Sequence, residues 1–220
     1  MFPSLSIPPD RYTQAFVDTL TMVGVSGSIA FVAGIPLAVM LIMTAPGGLV
    51  ASPRFHRVVG GVINGFRATP FIVMLVALIP FTRWVAGTTI GVWAAIVPLA
   101  ISATPFFARI VEVNLREVDP GLVEAAQAMG CKKWHIVRYV YLPEALPGIV
   151  GGFTITLVAL ISSSAMAGAV GAGGLGDLAI RYGYQRFDSQ VMVIVIAILI
   201  AMVTVVQLIG DRYSRWLRNR

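Results

Sequence analysis

Most familiar chemistries fail in this chain on residue type or spacing. Gly171, Gly173 and Gly176 satisfy G-x-G-x-x-G, but that pattern cradles a dinucleotide only when it follows a strand and opens a helix. Here it follows a long apolar run, so a tightly turning loop capping that run is expected instead. Ser162, Ser163 and Ser164 supply three hydroxyls, yet no His or Asp is placed to activate one as a nucleophile. A phosphate-binding P-loop needs Gly-Lys followed by Ser or Thr. The only lysines, Lys132 and Lys133, stand between Cys131 and Trp134, so the chain has no means of hydrolysing ATP itself. A single cysteine, Cys131, excludes an internal disulfide and a multi-cysteine metal cluster, and His56 and His135 form no motif. No catalytic residue and no metal ligand is expected.

One polar segment has a different grammar. Residues Arg109 to Glu144 carry 10 of the 26 charges in 36 residues. Asp119 suits a helix N-cap and Pro120 the first helical position. Leu122, Ala125, Ala126 and Met129 recur at i, i+3, i+4 and i+7, one apolar face of a short helix. Gly130 falls where a helix end needs a left-handed residue. A second helical stretch, roughly Lys132 to Tyr141, is expected to stop before Pro143, with Pro147 marking the next run. A helix of about ten residues is marginal alone in water, so its apolar face needs cover. The ends of the chain's own helices and a separate protein docked on the loop are both open as partners.

The elements that must hold this segment are apolar. The chain has 220 residues, 57% hydrophobic and 12% charged, about half the charge of an average soluble domain (roughly 25%). The charges are clumped: 35 uncharged residues separate Asp18 from Arg54, 25 separate Arg83 from Arg109, 32 separate Glu144 from Asp177 and 22 separate Asp188 from Asp211. A membrane-crossing helix needs about 20 such residues. An all-α polytopic membrane protein is therefore expected, as one domain over residues 1–220, with spans near 20–43, 58–80, 90–107, 148–170 and 191–210. The second is weak, because Arg67 interrupts it. A charge inside a span costs about 2.5–3.5 kcal/mol on insertion scales, so Arg67 should reach an interface or face protein rather than lipid. The start, MFPSLSIPPD, lacks a basic segment and an apolar core before Asp18, so the first span is expected to be the anchor and not a cleaved signal.

Loop charge sets the orientation. With the N-terminus outside, the inner segments hold 11 basic residues, including Arg54, Arg109, Lys132, Lys133 and Arg212 to Arg220, and the outer segments hold 4. The positive-inside rule then places the C-terminus in the cytoplasm. The net charge of +6 is a sign of topology, not of a nucleic-acid partner. Gly61 with Gly65 and Gly148 with Gly152 are GxxxG pairs, which permit close helix approach within the chain or against a second copy.

The polar segment also resembles a known family. Glu124-Ala125-Ala126, then Gly130, then Val140, Leu142 and Pro143, matches the EAA loop of ABC-importer permeases, with Val140 in place of Ile. NGFRATPFI (64–72), ATPFFAR (103–109), LPEALPG (142–148) and SAMAGAVGAGGLGDLAIRYGY (164–184) extend the likeness over roughly residues 15–215, toward the methionine-importer permeases of bacteria. The resemblance implies a type I ABC-importer permease fold with five spans per chain, working in the bacterial inner membrane as a homodimer. Its implied partners are two copies of a cytoplasmic ATPase, which binds the ATP and Mg, and a methionine-binding protein outside. It further implies that Asp119, Leu122, Glu124, Ala125, Ala126, Met129, Gly130, His135, Leu142 and Pro143 couple to the ATPase. The loop specifies the engine and not the cargo, so another amino acid or small solute is the alternative substrate.

Ser163, Ser164, Met166 and Gly168 are the candidate path or gate positions. Hydroxyls here bond backbone or line a wet path, and Met166 is either a plug among small residues or core filler. An ion-coupled carrier would be expected to bury several ionisable groups; Arg67 is the only clear one.

Overall fold

The computed structural model describes residues 7–219. Residues 1–6, where the absence of a signal peptide was expected, and Arg220, one of the eleven inner basic residues, lie outside the described residues. Every regular element among the described residues is helical.

Helix α1 (Pro9–Thr44) begins eleven residues before the expected Leu20. Asp10, Arg11 and Asp18 set no limit, because a helix starting at Pro9 gains from an acidic first turn. Its buried stripe, Tyr12, Ala15, Thr19, Met22, Ser26, Ala30, Gly34, Ala38 and Leu41, follows helical spacing from end to end. The stripe lies along α5 (Val92–Arg116). At Gly34 the two helices approach closely: a Cβ there would sit 2.8 Å from Phe107. Phe31, Phe107 and Phe153 form a ring cluster there, with centroids 5.0–5.7 Å apart.

The stretch 58–80 is not one straight span. Helix α2 (Pro53–Ala68) and helix α3 (Phe71–Ala77) are bent from each other by 104°. Pro70 has no N–H to continue α2, and its ring pushes Thr69 into extended backbone (φ −80°, ψ 125°). Helix α4 (Ile79–Ala86) follows, with Pro80 in its first turn. Four helices among the described residues are long and apolar enough to cross a bilayer, or five if the bent pair counts as one.

After α5 come α6 (Pro120–Ala128) and α7 (Lys133–Ile136), then a π-turn over Val137–Tyr141, then α8 (Leu142–Gly168). The expected stop before Pro143 does not occur, and helix runs from Lys133 to Gly168. A proline clashes with the carbonyl four residues back, and the wider π-turn, closed by Leu142 N–H onto Val137 O, makes room for it. Gly148 and Gly152 face α5, where added Cβ atoms would strike Asn114 and Ile110. The other pair, Gly61 and Gly65, has open space within this chain.

Gly171, Gly173 and Gly174, all at left-handed φ of 76–90°, turn the chain from α8 into the short α9 (Gly174–Leu178) and a second π-turn, Ala179–Tyr184. Helix α10 (Ser189–Arg218) closes the order, its N-terminal amides of Gln190 and Val191 accepted by Asp188 at 3.1 and 3.2 Å. Its apolar outer surface, including Val193, Ile200 and Leu208, is exposed in the single chain, as suits a lipid-facing helix.

Candidate functional site

Two places combine polar chemistry with shape: the 109–144 segment and a cleft at the α2–α3 break.

The first is anchored by Glu112, which has no exposed side-chain surface and sits between Val111 and Leu115 in the apolar cluster around Phe107. An unpaired carboxylate there would be prohibitive. Arg109 donates to it at 2.7 Å and Arg116 donates to its other oxygen. The residue was not foreseen as important. Its signal is the basic–acidic–basic spacing at 109, 112 and 116, which puts all three groups on one helix face.

Helix α6 starts as its residues dictate. Asp119 Oδ1 accepts the Gly121 N–H at 2.8 Å, and Pro120 opens the helix. It ends in a Schellman turn: Cys131 N–H reaches Ala126 O at 3.1 Å, Gly130 N–H reaches Gln127 O at 2.9 Å, and Gly130 takes φ 75°. The expected apolar face is only partly covered. Ala126 is buried with Val123 against Ile136, beside Leu49, Val140 and Tyr141. Leu122 and Met129 are 45% and 76% exposed, and Ala125 is exposed too. The turn at Gly130 brings Ile136 onto the Val123–Ala126 edge and leaves the Leu122–Ala125–Met129 edge bare. Glu124, His135 and Pro143 are exposed, and Leu142 is half-buried. Trp134 and Tyr139 add further exposed aromatic surface.

The second place is a cleft of about 200 Å³ lined by the α2–α3 corner, α5 and α8. Arg67, Thr69, Ser102, Thr156 and Ser163 supply its polar wall; Phe66, Phe71, Phe106 and Leu160 supply the apolar one. The four candidate path residues separate here. Ser163 faces the cleft. Ser164 is buried and donates to Ile161 O at 2.7 Å, a bond to backbone. Gly168 is the point of contact between α8 and α9, where a Cβ would collide with the backbone of Gly176 and Asp177. Met166 is 49% exposed and so does not fill the core of this chain.

The glycine loop after α8 follows a helix, not a strand. It is held from both sides: Gly171 O accepts Gly91 N–H at 3.0 Å, and Leu175 N–H donates to Thr19 Oγ1 at 2.9 Å.

Comparison with known proteins agrees with this geometry. Residues 30–220 match the family model described as binding-protein-dependent transport system inner membrane component. A protein of Vibrio cholerae named as a probable D-methionine transport system permease is 51% identical over 211 residues, 96% of this chain and 94% of that one. A methionine import system permease of Bacillus subtilis is 41% identical over 181 residues, 82% of each chain. Among solved structures, a chain of the MetNI methionine ABC transporter, in an inward facing conformation, superposes with a TM-score of 0.94 at 46% identity, covering 96% of this chain and 99% of that chain. The fold is that of a type I ABC-importer permease, a non-catalytic, multi-pass component of the inner membrane. The chain belongs to the family of binding-protein-dependent transport system inner membrane components.

Proposed function

We propose that this chain is the membrane-spanning subunit of an ATP-driven methionine importer. Two copies enclose the path, two copies of a cytoplasmic ATPase dock on the 119–143 loop, and an extracytoplasmic methionine-binding protein delivers the cargo. ATP and Mg are held by the ATPase. The N-terminus faces outside and the C-terminus the cytoplasm, with the bent α2–α3 pair counted as one of five spans.

The observation that carries the reading is the bare Leu122–Ala125–Met129 edge of α6, next to exposed Glu124. An apolar edge on a helix capped at both ends, within a segment that holds 10 of the chain's 26 charges, fits a protein partner better than lipid. The EAA pattern, of which Ala125 lies on that edge and Glu124 beside it while Ala126 is buried, and the named relatives support an ATPase as the partner and methionine as the cargo. Helix α6 packs on Ile136 of α7, and α7 runs through the π-turn into α8, so movement of the ATPase pair passes into that span as near-rigid displacement. Closure of that pair opens the path outward and its separation opens it inward.

Sealed vesicles test the proposal. With ATPase and ATP inside and binding protein outside, labelled methionine should accumulate, and omission of any one should abolish uptake. Uptake driven by an ion gradient alone overturns the proposal; ATP-driven uptake of a different solute in place of methionine moves the cargo assignment to that solute.

A further inference from the structure

Arg67 stands at the α2–α3 corner and lines the cleft, whose other lining residues are all uncharged. Its guanidinium has no ion-pair or hydrogen-bond partner among the described residues. Arg67 is exposed in the single chain, so its charge is open to a visiting group at the break in the helix, and interrupted helices are where membrane carriers place their ligands. Two more groups are unspent: the Ser102 and Ser163 hydroxyls line the same cleft and make no hydrogen bond among the described residues. Phe71 and Phe106 supply an apolar wall opposite the polar one.

We propose that this cleft is a transit site for an amino acid, with Arg67 taking the carboxylate, the Ser102 and Ser163 oxygens accepting the ammonium, and Phe71 and Phe106 flanking an apolar or thioether side chain. The chemistry is complementary on each count. A guanidinium binds a carboxylate in a fixed two-point geometry, a hydroxyl can accept from an ammonium, and sulfur contacts aromatic rings favourably. With no acidic residue lining the cleft to hold the ammonium, binding should be weak, as passage requires. The inference rests on methionine being the cargo.

The test uses the permease–ATPase complex in lipid nanodiscs with methionine as the probe. Saturation-transfer NMR should carry signal from the complex to the methionine S-methyl. Methioninamide, which lacks the carboxylate, should not compete. Arg67→Gln should reduce the transfer at least about fivefold and Arg67→Lys by less, since charge survives without the two-point fork. In vesicles, Arg67→Gln should lower uptake about tenfold with ATP hydrolysis held within about twofold, a split that loss of folding would not produce. Failure of the wild type to take up methionine overturns the cargo reading above. A wild type that takes up methionine but gives no transfer overturns the site, as does an Arg67→Gln complex with undiminished transfer or competition by methioninamide equal to that by methionine. Release of tightly held phospholipid by Arg67→Gln with unchanged methionine transfer assigns Arg67 to a lipid phosphate and likewise overturns the site.

Discussion

The Leu175 amide donates to the Thr19 hydroxyl at 2.9 Å, joining two buried residues 156 positions apart. Leu175 is the second residue of α9, just after the glycine turn, so this amide is one of the orphan donors at a helix start. With both residues buried, α1 supplies the acceptor. Thr19→Val keeps the shape and removes the acceptor, leaving a buried N–H unpaired at a cost of about 1–3 kcal/mol. Thermal unfolding of the purified complex should show the loss, and Thr19→Ser should restore most of it. Equal stability of Thr19→Val and wild type would disprove the role.

Glu112 gives a second, larger prediction. Replacing an arginine leaves the fully buried Glu112 carboxylate short of a partner inside an apolar cluster, and breaking such a buried pair costs on the order of 3 kcal/mol; Glu112→Ala removes the buried charge itself and leaves two guanidinium groups that water reaches, so it should cost less. The two arginines should not be equal. Arg109 is 29% exposed and Arg116 45%, so water screens the second more. Arg109→Gln should therefore destabilise more than Arg116→Gln, measured as melting temperature in detergent; the reverse order would contradict this account of the triad.

How much of this was legible follows from what each signal encodes. The four charge-free runs each overlap a helix long enough to cross a bilayer, because excluding charge is what lipid demands. The apolar pattern over 58–80 does not encode the corner at Thr69–Pro70. An apolar run records burial in lipid or protein and carries no direction. The opposite error occurred at Pro143, where a π-turn lets helix continue; that depends on hydrogen-bond register, which composition does not record. On α6, caps and termini followed from residue type, while the covered edge depended on Ile136, a residue beyond the turn. Sites built from one helix were readable, and sites assembled from four, such as the Arg67 cleft, were not.

Gly130 tests the loop itself. Its φ of 75° lies in the left-handed region, and a Cβ there would meet no neighbour. Gly130→Ala therefore adds only backbone strain, about 1–2 kcal/mol, localised at the turn between α6 and α7. Global stability should fall little, because α6 is peripheral to the main clusters. ATP-dependent uptake should fall several-fold, and Gly130→Asn should be milder, since Asn tolerates this conformation. Uptake unaffected by Gly130→Ala would show that the loop geometry does not transmit movement.

The bare edge of α6 predicts where the ATPase is held. Met129→Ser and Leu122→Ser remove exposed apolar surface and should leave the stability of the permease within about 0.5 kcal/mol of wild type, as for surface positions. Each should reduce the amount of ATPase that co-purifies. Glu124→Lys should reduce it further by reversing a charge at the centre of the docking surface. Val123→Ser is the control: its side chain is buried, so it should lower stability. Full retention of ATPase by the Leu122, Met129 and Glu124 variants would place the contact elsewhere.

Met166 separates gate from filler by an energetic argument. A buried methionine cut to alanine typically costs 2–5 kcal/mol, through lost transfer energy and the cavity left behind. At 49% exposure, Met166 leaves no such cavity in this chain, so Met166→Ala should barely change thermal stability. As core filler, the residue would then have no effect on transport either. As a plug between two copies of α8, its removal should let methionine leak without ATP and lower the uptake obtained per ATP hydrolysed. Leak measured in vesicles lacking ATP, beside the uptake-to-hydrolysis ratio, decides between them: a variant with wild-type stability, no leak and an unchanged ratio leaves Met166 no part in gating.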